Sequence, residues 1–349
     1  MTLHEFVPSN DLLDRPADLR GRMDRDGFLF LRGLLPRDEV VEVRRALLEC
    51  CREGGWLVGG SELGEARVDA ARACVEPEPA FLDVYYRVQR REAFHTFAHH
   101  PALLRVMATL LGEPPLPHPQ KIARFIFPQN LDHTTPPHQD FVFIQGTPET
   151  YTAWIPLGDC PKALGGLQLD AGSHRGGILE YHASLGAGGM SIRPETLPDR
   201  WHSTDYRAGD VVVFHSLMVH RGLPNLTGDR LRLSVDYRYQ APSQPICETS
   251  LRPHMGELTW EEVYRGWQAT AYRYYWKRLD LRIVPYDPRY VEKRDREAFE
   301  LARQGNPVAR AALLRIAQRN PDPSRRAEAQ RALAELESRL PAQRGGAAR

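Results

Sequence analysis

The sequence predicts a mainly β core, a sandwich or closed barrel, with helices ahead of it and a helical extension behind it. Three observations carry this. Between residues 121 and 240, short β-rich runs alternate with Pro-, Gly- and Asn-containing joints, the spacing of a sandwich or barrel rather than a doubly wound parallel sheet. On either side of that stretch, apolar residues recur at helical intervals. The chain has 349 residues, 42% hydrophobic and 26% charged, enough for one large core or two smaller ones.

Taken in order, Gly27-Phe-Leu-Phe-Leu-Arg-Gly-Leu-Leu35 is an apolar run closed by Pro36, the pattern of a buried strand. Residues 38–52 place Val40, Val41, Val43, Ala46, Leu47 and Leu48 on a helical stripe that Gly54-Gly55 stops. A second helical region covers 80–111, restarts at Pro101 and ends at Gly112-Glu-Pro-Pro. Strands are predicted over 122–127, 141–144, 151–155, 166–169, 211–214 and 230–239. Residues 176–206 are long, Gly-rich and irregular, as in a lid or substrate loop. Residues 259–279 hold Trp260, Tyr264, Trp267, Tyr272, Tyr274, Tyr275 and Trp276. Without a basic excess, these read as a helix packing aromatics on the sheet rather than as a base-stacking surface. Similar blocks at Pro307 and Pro323 read as one helical hairpin, too few repeats for a solenoid. The expected division is a core domain with N-terminal helices over 1–240, a helical extension over 241–340 and a disordered tail over 341–349.

Lys and Arg number 46 against 45 Asp and Glu, a formal charge of +1, which speaks against a nucleic-acid binder or an acidic scaffold. No apolar stretch approaches the ~18 residues of a membrane span. The N-terminus lacks the basic-then-apolar pattern of a secretory signal. Cys50, Cys51, Cys74, Cys160 and Cys247 are odd in number and form no CxxC pair, so neither a disulfide framework nor a Cys-type zinc site is expected, and a cytoplasmic location is. Cys160, beside a proline and without a base partner, is not read as a nucleophile. These features frame an enzyme acting on a small molecule, with neither membrane nor nucleic acid as a partner. The C-terminal helices leave room for a homo-oligomer or a partner contact.

The chemistry concentrates at Pro137-His138-Gln139-Asp140. In a strand, residues two apart share a face, so His138 and Asp140 can address one atom. Together they are two-thirds of a 2-His-1-carboxylate facial triad. The third ligand must come from downstream, where His174, His182, His202, His215, His220 and His254 are available. His220 stands out because Ala208-Gly-Asp-Val-Val-Val-Phe214 brings a turn and buried strand into it, and His215 falls on the opposite face if that strand runs on. Residues 230–238 then alternate strictly. Leu231, Leu233, Val235 and Tyr237 lie on one face, and Arg230, Arg232, Ser234, Asp236 and Arg238 on the other. The polar face fits either a solvated edge strand or a polar cavity in which an Arg-x-Ser pair grips a dicarboxylate.

This ordered set resembles the Fe(II)/2-oxoglutarate-dependent oxygenases, specifically the phytanoyl-CoA dioxygenase family, over roughly residues 25–240. Besides the His-x-Asp and the distal His, the resemblance includes Tyr151-Thr-Ala-Trp-Ile-Pro-Leu-Gly-Asp-Cys160, Gly165-Gly-Leu, Gly172-Ser-His-Arg175 and His220-Arg-Gly-Leu-Pro-Asn225. It implies a double-stranded β-helix, or jelly roll, with His138, Asp140 and His220 holding Fe(II). An arginine on the following strand would anchor 2-oxoglutarate: Arg232 in its Arg-x-Ser setting with Ser234, with Arg230 the competitor. Arg124 would support the cosubstrate or make a structural salt bridge. His174 would be a turn residue.

The implied reaction couples O2 and oxidative decarboxylation of 2-oxoglutarate, releasing succinate and CO2, to hydroxylation of an unactivated C–H in a small or medium metabolite. Desaturation and ring closure share the triad. Halogenating relatives replace the carboxylate with a small residue, so Asp140 favours hydroxylation. Selectivity is expected in residues 176–206, with His182, Arg193, Arg200, Trp201 and His202, while Phe141, Phe143 and Trp154 either line the pocket or pack the core. Two alternatives stay open: a cupin-like metal enzyme that does not use 2-oxoglutarate, and a non-catalytic interaction protein built on the barrel.

Overall fold

The computed structural model describes residues 3–339, so the tail expected over 341–349 lies outside the described residues. A short strand, β1 (His4–Glu5), precedes α1 (Pro16–Asp26), which starts on proline and ends where Gly27 turns left-handed (φ 81°). That turn feeds β2 (Phe28–Leu31). Helix α2 (Arg37–Glu53) buries Val40, Val43, Leu47 and Leu48 of the predicted stripe, leaves Ala46 half-buried and Val41 exposed because it falls off the inward face, and ends at Gly54. The second helical region is three helices, α3 (Pro79–Gln89), α4 (Glu92–Thr96) and α5 (Pro101–Leu111), the last starting on Pro101 and capped by left-handed Gly112.

There follow β3 (Leu116–Pro117), β4 (Ile122–Ile126), the single turn α6 (Phe141–Ile144), β5 (Thr150–Pro156), β6 (Leu167–Asp170), β7 (Tyr181–Ala183), β8 (Met190–Ile192), β9 (Trp201–Ser203), β10 (Val211–His215), β11 (His220–Gly222) and β12 (Arg232–Gln240). Strands β2, β10, β5, β12 and β3 lie side by side in that order, with β4 also on β12; a second sheet runs β1, β9, β6, β11. The core is therefore an antiparallel sheet and a smaller mixed sheet with flanking helices.

Alternation along the strands divides the interior. Leu29 and Leu31 of β2, Ala153 and Ile155 of β5, Val211 and Val213 of β10, and Val235, Tyr237 and Tyr239 of β12 pack against α1–α5. Their neighbours Phe28, Phe30, Trp154, Val212 and Phe214 point the other way and meet Leu167 and Leu169 of β6, so the sheets stack face to face. Each large apolar side chain buried in these layers contributes about 1.5–3 kcal/mol. Tyr237 and Tyr239 also donate their hydroxyls to Phe94 O and Ala98 O, both at 2.7 Å, tying the sheet to the helical layer.

Two expectations need correction. Residues 141–144 are a helical turn, not a strand, because Asp140 already has helical dihedrals (φ −63°, ψ −32°) and the Phe143 and Ile144 amides bond back to its carbonyl. Residues 176–206 are not an irregular loop: β7 and β8 form a hairpin there, and β9 joins the second sheet beside β6.

Beyond β12 come β13 (Ile246–Cys247), the turn α7 (Trp260–Val263) and β14 (Ile283–Val284). The predicted helix over 259–279 is only α7 plus short 3-10 turns, but its aromatics do pack, with Trp260, Tyr264, Trp267 and Trp276 clustering on Leu116 of β3 and on Ile246. Helices α8 (Arg289–Arg303), α9 (Ala309–Arg319) and α10 (Pro323–Arg339) then form a small bundle around Ala298, Ala312, Leu313, Ile316 and Leu336, so the predicted hairpin, α9–α10, gains a third helix. This bundle docks on the β7–β8 hairpin. Glu297 accepts from the Ala183 amide at 2.7 Å, and Arg294 donates to Gly188 O at 3.1 Å. Gly189 (φ +66°) lets α9 approach, since a Cβ there would stand 3.3 Å from the Ala312 backbone.

Candidate active site

His138 and His220 face each other across an isolated antiparallel bridge, exchanging two backbone hydrogen bonds of 3.0 Å. His220 opens β11, and Asp140 stands at the head of α6, so the His-x-Asp lies at a bridge running into a turn rather than within a strand. The three side chains still converge: one ligand atom from each lies within 4.8 Å of the others, and all three residues are buried. Each histidine Nε2 is 3.9 Å from Asp140 Oδ1.

The other ring nitrogens fix the chemistry. His138 Nδ1 lies 2.8 Å from Pro136 O and His220 Nδ1 2.9 Å from Met218 O. A carbonyl only accepts, so Nδ1 carries the proton and each Nε2 lone pair points to the shared centre. Burial pushes the His138 imidazole down to about 3, aided by the neighbouring His220, and burial also lowers His220. Both rings are therefore neutral donors at physiological pH. Burial alone would raise the Asp140 carboxyl, but Arg238 and the two histidines hold it well below the usual carboxylate range. Two neutral imidazoles and one carboxylate on one side of a point suit a divalent iron-type ion and leave its far side open.

Arg238 was not singled out in the sequence, although it shares the polar face of β12. It donates to Asp140 Oδ1 at 2.9 Å and Oδ2 at 3.2 Å, and Thr152 Oγ1 donates to Oδ2 at 2.6 Å. The sheet register sets this up, because Arg238 on β12 pairs with Thr152 on β5. These two side chains orient the carboxylate and occupy its other lone pairs.

The whole polar face of β12 is buried, which decides against a solvated edge strand. Arg232 sits between the sheets in a recess shared with His138, Asp140, His220, Trp154 and Phe214. It donates to Ser234 Oγ at 2.9 Å, yet its Nε is buried without a partner, and among the described residues no carboxylate stands within salt-bridge distance. Burial lowers its pKa. A buried guanidinium lacking an anion fits a carboxylate-bearing cosubstrate. Arg230 is exposed, bridging to Arg67 outside the recess, so the structure does not bring it to the site. Arg124 lines the recess with its guanidinium 3.0 Å from Asp236, the salt-bridged alternative.

A cavity of about 430 Å³ opens beside His138 and Asp140, with His220 in the inner recess. Ile122, Phe143, Ile144, Pro253 and Val291 supply apolar walls, and five arginines, Arg124, Arg238, Arg252, Arg315 and Arg319, supply charge against Glu76 and Asp140. Of the residues expected to set selectivity, His182, Arg193, Arg200, Trp201 and His202 do not line it; from that segment only Ala187 and Gly188 do. Trp201 is buried in an apolar cluster with Tyr181, Met190 and Ile192, its outer face covered by Arg221. Phe143 reaches the cavity and Trp154 the inner recess, whereas Phe141 reaches neither. His174 bonds Asp24 O and lies 5.6 Å, tilted, from the ring of His215, whose partner is Glu149, so both lie off the triad; His254 lines the cavity bonded to Tyr85. Cys160 is buried, its thiol pushed up to about 11 by burial, as an inert cysteine should be.

A sequence model described as phytanoyl-CoA dioxygenase (PhyH) matches residues 23–233. The chain is 28% identical over 266 residues to a 1-deoxypentalenic acid 11-beta-hydroxylase of Streptomyces exfoliatus, covering 72% of this chain and 90% of that protein. It is 23% identical over 239 residues to a probable phytanoyl-CoA dioxygenase of Caenorhabditis elegans, covering 63% and 74%. Among solved structures it is similar to the epimerase SnoN in complex with Fe3+, alpha ketoglutarate and nogalamycin RO, at TM-score 0.47 and 22% identity over 67% of this chain and 86% of that one. It is also similar to the non-heme monooxygenase ThoJ, at TM-score 0.48 and 24% identity over 65% and 78%.

Proposed function

The chain belongs to the phytanoyl-CoA dioxygenase family, and from that premise we propose that it is an Fe(II)- and 2-oxoglutarate-dependent hydroxylase of a small or medium organic metabolite. One observation carries the reading: three buried ligands aimed at one point share a recess with a buried arginine that lacks an anion. The two facing sheets are taken as the jelly roll of that enzyme class. Fe(II), 2-oxoglutarate and O2 are the reaction partners besides the substrate, and the relative named as an 11-beta-hydroxylase supports hydroxylation as the outcome. A cytoplasmic setting stays part of the proposal; among the described residues no helix is long and apolar enough to cross a membrane.

Each residue has a defined task. His138, Asp140 and His220 hold the metal, with Arg238 and Thr152 keeping the carboxylate in place. Arg232, braced by Ser234, receives the distal carboxylate of 2-oxoglutarate, and Trp154, Phe214 and Leu167 keep that recess dry. Arg124 is spent on Asp236 and shapes the wall between recess and cavity. The bound metal and cosubstrate supply the oxidising power, while the protein supplies position and an excluded volume. The substrate C–H would sit on the open side of the triad, in the cavity that Phe143 and Ile122 help to line.

The test is succinate formation from 2-oxoglutarate under air with Fe(II) and ascorbate, first without substrate and then across a metabolite panel. Slow uncoupled succinate release that vanishes in His220→Ala and rises with one panel member supports the proposal. Metal binding with no succinate under any condition points to the cupin-like alternative, and absence of both to the interaction protein.

A further inference from the structure

Building on the oxygenase reading, we infer that the C-terminal bundle completes the active site, and that Arg319 of α9, beside the paired Arg315, binds an oxyanion, carboxylate or phosphate, on the substrate. Both residues lie beyond the segment 23–233 that the family model matches. They are four apart, so they share one face of α9. The remainder of that helix, Ala309, Ala312, Leu313 and Ile316, is buried against α8 and α10, which turns the arginine face toward the cavity that also contains His138 and Asp140.

Charge bookkeeping singles out Arg319. Among the arginines lining the cavity, Arg238 pairs with Asp140, Arg124 with Asp236, Arg252 with Glu248 and Arg315 with Glu76. The Arg315 pair is nearly buried, with both terminal nitrogens 2.6 Å from Glu76 Oε1, which holds that guanidinium rigid. Arg319 donates to the Met255 carbonyl and has no carboxylate within salt-bridge distance among the described residues. Burial and the adjacent Arg315 disfavour its charge, outweighing Glu76 and Glu257, which favour it. An anion arriving beside it relieves that cost and makes charge-assisted hydrogen bonds. Arg232 already provides the cosubstrate's anchor in the inner recess, so an anion at α9 belongs to the substrate. The ligand is then an amphipathic acid, with its apolar body against Ile122, Phe143, Ile144 and Val291 beside the metal and its anion at the α9 end.

The experiment is calorimetric titration of the full-length chain, both as prepared without metal and loaded anaerobically with Fe(II) and 2-oxoglutarate. The probes are 1-naphthoic acid, 1-naphthyl phosphate and the neutral 1-naphthamide. One of the two anions is expected to bind at least tenfold more tightly than the amide, and which one identifies the oxyanion. That preference should fall at least tenfold in Arg319→Gln, be largely kept in Arg319→Lys, and leave amide binding unchanged. Equal binding of all three probes, no binding, or a preference that survives Arg319→Gln overturns the inference. So does an anion preference lost in His138→Ala but kept in Arg319→Gln, since the anion would then sit at the metal. Failure of the oxygenase reading registers separately, as absent Fe(II)/2-oxoglutarate binding in a chain whose Arg319-dependent preference persists without metal.

Discussion

Replacing Arg238 by methionine separates its two effects on the site. The Arg238–Asp140 pair is 4% exposed on both sides, with contacts of 2.9 and 3.2 Å. Removing one partner of a buried pair leaves an uncompensated charge, at a cost of about 3–5 kcal/mol. Thr152 still donates to Asp140 Oδ2 at 2.6 Å, so the lower end applies, about 3 kcal/mol. For a chain of this length that is a loss of roughly 4 °C in Tm. A divalent cation reverses the balance. In the native chain it shares Asp140 with a guanidinium, whereas in Arg238→Met it is the carboxylate's only counter-charge. The assay is thermal unfolding in EDTA and in saturating Mn(II), with Arg230→Met as the exposed control. The variant should melt well below the native chain in EDTA and show the larger metal-induced rise. An unchanged EDTA melt, or a smaller metal-induced rise in the variant, refutes the assignment of Arg238 as the carboxylate's counter-charge.

Three further outcomes follow from the same geometry. Arg232→Met should weaken 2-oxoglutarate binding roughly 100-fold, the equivalent of about 3 kcal/mol, while Arg230→Met shifts it less than about twofold; equal effects in a competition titration would contradict the choice between them. His95 and His118 are fully buried, and burial drives His95 well below its ordinary pKa and His118 to about 3. Because the unfolded chain takes up protons below about pH 6.5 that the folded chain refuses, stability should fall with pH from there, by about 3 kcal/mol for the two at pH 5.5. Urea unfolding at pH 7.5 and 5.5 measures it, and a flat or rising stability toward pH 5.5 goes against the assignment. Gly165 has φ +83°, and a Cβ there would lie 2.5 Å from Leu223 O, so Gly165→Ala should cost about 2–3 kcal/mol in the same assay, and a loss under about 0.5 kcal/mol contradicts the strain.

The strand carrying Arg232 was legible because alternation on β12 is a local pattern that survives folding, and the triad was legible from the ordered motif set, although its His-x-Asp lies at a bridge running into a turn rather than within a strand. Arg230 stayed a competitor to the favoured Arg232 because the two have the same parity. Pairing separates them: β12 starts at Arg232, while Arg230 remains outside, bridged to Arg67. The Asp140 environment was hidden because it depends on register, which places Thr152 of β5 opposite Arg238 of β12. Phe141-Val-Phe-Ile144 was misread because a four-residue apolar run carries no period; helical dihedrals at Asp140 decide it, with the carboxylate bonding Thr152 and Arg238 rather than capping the turn. Arg315 reaches Glu76 across 239 positions, a contact no periodicity announces. For the same reason, the cavity wall expected from residues 176–206 includes α9 and residues 252–256, with only Ala187 and Gly188 from that segment.

The central claim, that His138, Asp140, His220 and Arg232 jointly hold iron and 2-oxoglutarate, is tested most directly by anaerobic titration of the metal-free chain with Fe(II) and 2-oxoglutarate, monitored in the visible range. The account predicts a weak metal-to-ligand charge-transfer band that needs both additions, is lost in His138→Ala, and in Arg232→Met requires far more 2-oxoglutarate. Metal-loaded protein that shows no band at any 2-oxoglutarate concentration would contradict it.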